Sequence, residues 1–575
     1  MITPMTRYDF ILLSSGTEAF LEKIQALGVV DITRSVKPVD STSAALLDKV
    51  TALKAEISDI EKGSDAHLSS LLSHRSELEK EAATAEIWGS FDADAVAGLE
   101  SKGLKLSFYS VQTKKFDPEW EQQYPIQVVA EQKGYTYFVV VGATDFPLKA
   151  IQAPSRSSED VRAEIDGLDS EIEAYRKTLV DRSSELPGLR ARLAELTAEL
   201  DRYLAGAATE SAAEDHLTVV TGFAPSEKDE ELRAEFAELD AYFTWSNAVL
   251  EDNPPIKLKN NKFVSMFEVL TDMYGRPAYN GFDPTPYISI FFLLFFAMCM
   301  GDAGYGIVLI IIGLLLRKVK SFASLAPLVV TLGGATVVVG FLFHTFFSMD
   351  ISTWAVIPDA LKGIMVPAKV STYDGTMILA LAVGIVHLCL AMIVKTVYAT
   401  KNQGFLNSLG TWGWTLLIVG GVVVALISLM GVIDAALTKI IVIALGVISG
   451  LGIFLLNNLH RNPLINIGSG LWEAYNTATG VLGDVLSYLR LYALGLAGSM
   501  LGFAFNDLAK MALGDGGIGR WVAFLLIVII GHTLNLAMAA LGAFVHPLRL
   551  NFLEFFKNSG YEGVGRNYNP LKKNN

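Results

Sequence analysis

Apolar residues follow two different patterns along this chain, and the change between them divides it near residue 285. Before that point apolar and polar positions alternate with the spacing of amphipathic helices and short strands. After it, long apolar runs follow one another, which is typical of membrane-spanning helices. The pattern therefore predicts a soluble domain over residues 1–285 and a transmembrane domain over residues 286–575.

The soluble half contains several short segments with a clear local pattern. Predicted strands occupy residues 7–13, 28–33, 105–111, 135–141 and 216–225, and a helix occupies residues 17–27. Strands and helices mixed at this scale indicate small α+β lobes.

Two long helices are predicted among these strands, within residues 41–87 and 155–206. In the second, apolar residues recur at alternating spacings of three and four from Val161 to Tyr203, a heptad pattern typical of coiled coils. Pro187 interrupts the pattern and predicts a kink. Two interpretations fit: an antiparallel hairpin within one chain, or a coiled coil between two copies of it.

We favour the hairpin interpretation, which divides the soluble half into three parts. Residues 1–40 and 207–260 form a proximal lobe, residues 41–87 and 155–206 form the coiled-coil hairpin, and residues 88–154 form a distal lobe. Such a rod is suited to holding two partners apart. The sequence has no phosphate-binding glycine loop, zinc-ligand spacing or nucleophile elbow, so we expect no catalytic site, ATP-binding site, cofactor or metal in this chain.

The second half predicts the number of membrane crossings. Apolar runs occupy residues 287–316, 325–348, 375–395, 408–430, 438–456, 481–508 and 521–553. The first run contains a glycine-rich break at Gly301 and crosses the membrane either once or as two short helices. Basic residues at 317–320, 395–401, 460–461 and 572–573 all lie on one side of the membrane if it crosses twice. We therefore favour eight crossings, with both termini in the cytoplasm.

Composition adds two limits. The formal net charge is −14 and comes mainly from the soluble half, which argues against nucleic-acid binding. The two cysteines, Cys299 and Cys389, lie in apolar runs and are too few for a disulfide framework. The predicted fold class is an α-helical polytopic membrane protein with an N-terminal cytoplasmic α+β domain.

One charge lies deep in an apolar run. Between Ser487 and Phe505, Arg490 is the only charged residue. A charge at that depth costs on the order of 3 kcal/mol or more, and arginine cannot escape the cost by losing its proton. Ser487 shares a helical face with Arg490, and Asp484 and Tyr488 lie within one to two helical turns of it. Arg490 is therefore a candidate functional residue, and a structural ion pair with Asp484 is the alternative.

The last apolar run carries a polar stripe. His532, Asn535, Ala539, Gly542, His546 and Arg549 follow helical spacings of three or four, and Glu554 lies beyond them. Polar side chains on one face of a membrane helix must face protein or water, so the stripe indicates a proton-accessible path. For His532 a structural hydrogen-bonding role is the alternative, and His546 with Arg549 also fits a pair at the helix end that reaches toward the interface.

Two isolated acidic residues have two interpretations each. Asp302 is the only charge between Pro286 and Arg317, and it lies either at a turn near the outer surface or beside an internal aqueous cavity. Glu473 is either an interfacial residue or the mouth of a cytoplasmic inlet.

Three motifs, taken together, resemble a known family. Residues 483–497, GDVLSYLRLYALGLA, resemble the signature of the membrane stator subunit of rotary V-type and A-type ATPases, called subunit a in eukaryotes and subunit I in prokaryotes. Residues 542–556, GAFVHPLRLNFLEFF, are similar to its last helix, and MFEVLTDMYGRP at 266–277, DPTPY at 283–287 and GDAGYG at 301–306 are similar to its entry into the membrane. The resemblance extends over essentially the whole chain.

The resemblance implies a role for each polar residue. Two offset half-channels would carry H⁺ or Na⁺ to and from the carboxylates of a rotating proteolipid ring, and Arg490 would separate them. Arg549 would be a second arginine at that interface, and His546, Glu554 and Asp302 would line the paths. The last helices would be long and tilted. Pro547, and Ala539 where the eukaryotic pattern has glutamate, depart from the family.

The resemblance also implies partners and a location. The N-terminal lobes would hold peripheral stalks, and through them the soluble ATPase head. The chain is shorter than eukaryotic subunit a, which favours a prokaryotic cell membrane. The competing hypotheses are a secondary ion-coupled transporter with a regulatory coiled coil, and a membrane-anchored scaffold without transport.

Overall fold

The structure is a computed structural model, and each region of it is described for the residues whose placement is defined. These are residues 1–35, 37–88, 98–99, 101–142, 146–151, 156–212, 216–319, 322–352, 358, 362–367, 369–370, 372–456, 462–514 and 517–573. Lys320, His460 and Arg461, which entered the topology prediction, lie outside the described residues, as do residues 89–97 of the predicted distal lobe.

The chain divides into two compact units. The larger unit contains Met1–Ile11 and Thr221–Pro570, and the smaller unit contains Leu12–Val220 and Leu571–Asn575. Their strands are β1 Met5–Leu13, β2 Asp31–Ile32, β3 Leu106–Gln112, β4 Ile126–Gln132, β5 Tyr135–Val141, β6 Glu210–Ala212, β7 Leu217–Pro225, β8 Tyr242–Asn247, β9 Pro255–Ile256, β10 Thr345–Phe346, β11 Met349–Asp350, β12 Lys369–Val370, β13 Tyr373–Asp374 and β14 Arg566–Asn567.

The helices of the smaller unit are α1 Thr17–Leu27, α2 Ser41–Lys62, α3 Ala66–Glu86, α4 Ser158–Arg182 and α5 Leu186–Ala207. Those of the larger unit are α6 Asp229–Ala237, α7 Glu268–Tyr274, α8 Thr285–Met300, α9 Ala303–Leu316, α10 Ala326–Leu342, α11 Gly375–Gln403, α12 Leu409–Leu429, α13 Ala435–Phe454, α14 Pro463–Leu513 and α15 Ile518–Arg549. One-turn helices lie at Trp120–Gln123, Lys262–Ser265 and Phe556–Ser559.

Two sheets account for most of the strand residues. One has the order β2-β7-β1-β8, with β6 paired to β7, and the division between the units passes through β1 and β7. In it β1 pairs antiparallel with β8, so that Thr6 lies opposite Asn247. The other sheet, β3-β5-β4, lies within the smaller unit. The predicted strands at 7–13, 105–111, 135–141 and 216–225 are confirmed, whereas β4 and β8 were missed.

The long helices of the smaller unit pack in two pairs. Helix α3 packs against α4 through an apolar cluster, and α2 packs against α5 through another. The heptad positions Val161, Leu168, Ile172 and Leu179 are buried in the first cluster. These contacts lie within one chain and favour the intramolecular interpretation, while the continuous coiled-coil rod stays a prediction.

Both long segments are interrupted at short local signals. Ser183–Glu185 forms a 3₁₀ turn, and Pro187 lies in the first turn of α5, where the missing N–H costs no helical bond. The interruption near Pro187 was predicted. A second break, between α2 and α3, was not. Gly63 ends α2 with a φ of 60°, and the Asp65 side chain accepts from the Leu68 N–H to begin α3.

The apolar half contains membrane-length helices. Within the described residues, five helices are long and apolar enough to cross a membrane: Gly375–Gln403, Leu406–Leu429, Ala435–Phe454, Leu464–Leu513 and Ile518–Ser559. Three shorter apolar helices, α8, α9 and α10, precede them. The predicted break of the first apolar run is confirmed at Gly301, where φ is 55°. At 1.5 Å per residue, α8 and α9 rise only about 24 Å and about 21 Å, so eight complete crossings stay a prediction.

Helix α8 lies at the centre of this helical packing. It contacts α10, α14 and α15, and α14 in turn contacts α11, α13 and α15. Phe292, Phe295 and Tyr488 are fully buried in the shared core. This core holds the two longest helices, α14 and α15, which carry the candidate site.

Candidate functional site

Arg490 lies midway along α14 on a half-buried face. Within the part of the chain that the structure describes, its buried Nη1 has no hydrogen-bond partner. The alternative of an ion pair with Asp484 is wrong. Asp484 instead accepts from Asn558 Nδ2 at 2.7 Å and pairs with Lys557 Nζ at 3.6 Å. Among the described residues, Arg490 is therefore not paired with Asp484, and the nearby negative charge that acts on it is that of Glu554.

Glu554 lies in an unusual turn directly after α15. Residues Leu550–Phe555 form a π-helical turn, a type of turn that is frequent at functional sites. Pro547 precedes the turn inside α15, and its carbonyl accepts from Asn551 Nδ2 at 2.9 Å. Glu554 is 3% exposed, and its Oε2 has no partner among the described residues. Ser487 of α14 lies beside this carboxyl group.

His546 and Arg549 are placed differently on α15. Arg549 is exposed, whereas His546 is half-buried and its Nδ1 has no partner in the described structure. The charges of Arg490 and Arg549 both act on His546. The three side chains thus belong to one electrostatic neighbourhood, formed where α14 and α15 pack together.

The predicted polar stripe is divided by the fold. Asn535 is 1% exposed and donates through Nδ2 to the Tyr305 hydroxyl and the Gly498 carbonyl, both at 2.8 Å. His532 bonds to the Tyr305 hydroxyl at 2.8 Å, which fits the alternative of a structural hydrogen-bonding role. One end of the stripe therefore faces the interior, and Arg549 at the other end faces outward.

Asp302 lies at the turn between α8 and α9, as one of its interpretations predicted, but it is buried, with 2% of its surface exposed. Its carboxylate accepts four backbone N–H groups, from Gly304, Tyr305, Phe347 and Ser348, at 2.6–3.2 Å.

Two cavities touch α14 on either side of Arg490. One of about 300 Å³ is lined by Glu473 and Val481 of α14, together with Lys395, Lys557 and Asn558. The other, of about 190 Å³, has a wall made by residues 491–499 of α14. That wall includes Tyr492, whose hydroxyl donates to Asp374 Oδ2 at 2.6 Å. Residues 481 and 491 are about 15 Å apart along the helix.

The small-residue spacing of Gly495, Gly498 and Gly502 on α14 is typical of a surface that another helix can approach, but most of this surface is covered within the chain. A side chain at Gly495 would meet the Met298 carbonyl at 3.0 Å, and one at Gly502 would clash with Ser348 Oγ. Only Gly498 of these three has open space beside it. The glycines therefore allow close packing inside this chain, and the outward face carries Leu486, Arg490 and Met500 instead.

Sequence patterns missed several members of this site. Lys557 and Asn558 hold Asp484, and Asn558 also donates to the Glu554 carbonyl at 2.6 Å. The spacing of four from Glu554 to Asn558 was the available signal. Tyr488 bonds to the fully buried His387 at 2.9 Å, a contact across 101 residues that no local pattern indicates.

Comparison with known proteins gives related sequences over different lengths. Residues 149–327 match the model of the V-type ATPase 116kDa subunit family. The A-type ATP synthase subunit I of Pyrococcus horikoshii is 34% identical over 335 residues, which are 56% of this chain and 48% of that protein. The V-type ATP synthase subunit I of Borreliella burgdorferi is 25% identical over 628 aligned positions, which cover 100% of both chains.

The length of the match differs between these relatives. The chain spans about half the length of the archaeal relatives it matches, including a Pyrococcus abyssi protein at 29% identity and 48% coverage. It spans the full length of the Borreliella protein and of a Treponema pallidum V-type ATP synthase subunit I, which is 24% identical.

Proposed function

We propose that this chain, which belongs to the V-type/A-type ATP synthase subunit I family, is the static membrane subunit of a rotary ATPase. In this role it carries H⁺ or Na⁺ between the two sides of the membrane and the carboxylates of a rotating proteolipid ring. The chain is a membrane protein that takes no part in ATP chemistry itself, and the soluble head performs that chemistry.

The observation that carries the proposal is that the buried Nη1 of Arg490 has no hydrogen-bond partner among the described residues. Arg490 lies on a half-buried face of a membrane-length helix, and Asp484 binds Asn558 and Lys557 instead. Opposite charges 4 Å apart attract by about 4 kcal/mol near a protein surface, so a carboxylate arriving on another subunit would bind there. A ring of carboxylates that pass one after another supplies such a partner without blocking the site.

Whether a ring carboxylate holds or releases its ion depends on its surroundings, and Arg490 changes those surroundings. In hydrocarbon a carboxyl group stays neutral by holding its ion, whereas beside a guanidinium the ionised form is favoured. The ring carboxylate therefore releases its ion at Arg490 and takes up another before it re-enters lipid. The fixed positive charge also repels any cation that would pass directly from one side to the other.

The two cavities support offset half-channels. The cavity at Glu473 is lined by Lys557 and Asn558, which bind Asp484 on one side of Arg490, and the cavity at Tyr492 lies on the other side. We propose that ions enter along the first set of side chains and leave along the second, with His546 and Arg549 at the ring interface. Asn535 and Asp302 support this arrangement from the interior.

The rest of the chain has an anchoring role in the proposal. The N-terminal lobes bind the peripheral stalks, and through them the soluble ATPase head. We place the protein in a prokaryotic cell membrane, with eight crossings and both termini in the cytoplasm. The net charge of −14 argues against nucleic acid as a partner.

The test is ATP-driven ion uptake by inverted membrane vesicles that contain the assembled ATPase with Arg490→Ala. We expect uptake at background level with normal amounts of assembled complex. The reason is that the ring carboxylates would no longer release their ions at residue 490. Arg520→Ala, an exposed arginine on α15, is the matched control and should leave uptake unchanged. Normal uptake with Arg490→Ala would disprove the proposal. Substrate-dependent transport by this chain alone would favour a secondary transporter.

A further inference from the structure

A buried polar cluster joins three helices of the larger unit. The Tyr305 hydroxyl of α9 lies 2.8 Å from His532 Nδ1 and 2.8 Å from Asn535 Nδ2, both on α15. Asn506 of α14 completes it, with its Oδ1 3.0 Å from His532 Nε2. Tyr305, His532, Asn535 and Asn506 are here called the Tyr305 network.

One arrangement of hydrogens satisfies the shared bonds of the Tyr305 network. Asn506 Oδ1 can only accept, so His532 Nε2 carries the hydrogen and its Nδ1 accepts from the Tyr305 hydroxyl. The Tyr305 oxygen then accepts from Asn535. A neutral histidine in this tautomer gives the bonds a single direction, and a directional network of this kind favours one arrangement of the helices that carry it.

Asp302 fixes the far end of the network. Asn506 Nδ2 donates to the Phe347 carbonyl at 2.8 Å, and the Phe347 and Ser348 N–H groups are bound by the Asp302 carboxylate. Phe347 and Ser348 have φ angles of 46° and 56°, in the left-handed region that non-glycine residues rarely adopt. Two bonds to Asp302 hold this short segment in that conformation, and the Asn506 bond holds it against α14.

The network is attached to the backbone of the helix that carries Arg490. Asn535 Nδ2 also donates to the Gly498 carbonyl at 2.8 Å, and Asn506 lies further along α14. Gly498 and Asn506 are 8 and 16 residues beyond Arg490, or about 12 Å and about 24 Å along the helix. Hydrogen bonds therefore hold α14 at two positions, Gly498 and Asn506. Each bond fixes an orientation as well as a distance.

Resting on the proposed function, we propose that the Tyr305 network positions α14 so that Arg490 is held at one height and one rotation between the two half-channels. Among the described residues, the buried Arg490 Nη1 has no hydrogen-bond partner that could hold it, so its position follows from that of the helix. Apolar contacts alone would keep α14 and α15 together but would allow them to slide or turn, because lipid and leucine are equally apolar surroundings. Tyr305, His532, Asn535 and Asn506 are therefore positioning residues.

The test compares two variants of the network in vesicles that contain the assembled ATPase. Tyr305→Phe removes only the hydroxyl, and Asn535→Ala removes the donor to Tyr305 and Gly498. We expect each to lower the number of ions transported per ATP hydrolysed by about threefold, a factor typical of one interhelical hydrogen bond in a membrane protein, with the amount of assembled complex unchanged. The double variant should lose little more than the larger single loss, because both changes break one network.

Tyr373→Phe, at a tyrosine that is 61% exposed, is the matched control and should change nothing. An unchanged ion-to-ATP ratio in both network variants would overturn the inference. A loss of assembled complex at an unchanged ratio would also overturn it, because the network would then be structural only. Arg490→Ala in the same vesicles separates the two proposals: if it abolishes uptake while the network variants keep their ratio, the proposed function stands and the positioning role fails.

Discussion

Arg182 and Arg490 lie on long helices of the same chain, but their surroundings are opposite. Arg182, in the smaller unit, is partly exposed, donates to Glu56 and lies 3.5 Å from Glu185. Arg490, in the larger unit, has a buried nitrogen without a hydrogen-bond partner in the described structure. Paired surface charges contribute little to stability, whereas a charge in an apolar helix is costly.

The difference shows which interactions determine the arrangement of the helices in each unit. In the smaller unit, apolar clusters between helices carry the stability, and water surrounds the charges. In the larger unit nearly every surface is apolar, so apolar contact distinguishes few arrangements and a small number of polar side chains must do so. Substitutions should therefore affect stability in the first unit and transport in the second.

The largest expected effect is that of Glu554→Gln in the larger unit. The amide keeps the size of the side chain but cannot take up or release a proton, so ATP-driven transport should fall on the order of a hundredfold. Glu56→Gln, which changes an exposed partner of Arg182, should leave transport unaffected. Ion uptake by vesicles at matched amounts of complex measures both. Equal effects of the two changes would remove the contrast between the units.

A large loss of stability is expected for Leu179→Ala in the smaller unit. Leu179 is 3% exposed in the cluster between α3 and α4, and truncating a buried leucine costs about 3 kcal/mol. Its neighbour Val180 is 67% exposed, so Val180→Ala serves as the control. Amide hydrogen exchange in α4 of the intact protein measures the difference. Equal exchange in the two variants would mean that this cluster does not hold the helices together.

A smaller loss is expected for Asp65→Ala, at the break between α2 and α3. The Asp65 carboxylate accepts from the Leu68 N–H at 2.8 Å and from the Tyr175 hydroxyl at 2.6 Å, and these bonds lower the pKa of this carboxyl. Loss of such a helix cap costs about 1 kcal/mol, and Asp65→Asn should keep most of it because asparagine also caps well. Hydrogen exchange in the first turn of α3 distinguishes the two variants, which should differ if the cap matters.

The smallest effect is a pH dependence at the start of α2. The Ser43 N–H and the Tyr203 hydroxyl donate to Asp40 and lower its pKa to about 2, against about 3.9 in an unfolded chain. The pKa of Asp40 is lower in the folded protein than in the unfolded chain. The ionised carboxylate therefore contributes its full stabilisation above about pH 4, and this stabilisation is lost as the pH falls through about 2. Exchange of the first-turn amides of α2 should rise over that window. Asp40→Asn should remove this pH dependence, and its persistence would assign the effect to another group.

Local patterns predicted the elements whose causes are local. The heptad positions from Val161 to Leu179 and the glycine break at Gly301 are visible in short windows of sequence. Helix α14 was predicted to begin at residue 481 but begins at Pro463, because Asn466 and Glu473 interrupt the apolar run. The break at Gly63 was hidden by apolar residues that continue the helical spacing on both sides.

The sequence predicted which residues belong to the site, but it did not predict their contacts. Arg490, Glu554 and Asn535 could be chosen because each is polar in an apolar setting. Their partners could not, since Tyr305 and Asn535 are 230 residues apart and meet only where the Tyr305 hydroxyl of α9 reaches α15 in the fold. The glycines of α14 show the same limit. Their spacing indicates that another segment packs closely against α14, but it does not indicate which segment.

The π-helical turn at Leu550–Phe555 makes chain length itself a constraint. A π turn closes its hydrogen bonds over five residues where an α turn uses four, so it accommodates one residue more. If the same residues formed α turns instead, the extra residue would rotate everything beyond the turn by about 100°. Asn558 and Lys557 would then turn away from Asp484, although none of the three had been substituted. At this turn the number of residues, as much as their identity, keeps the end of the chain in register with α14.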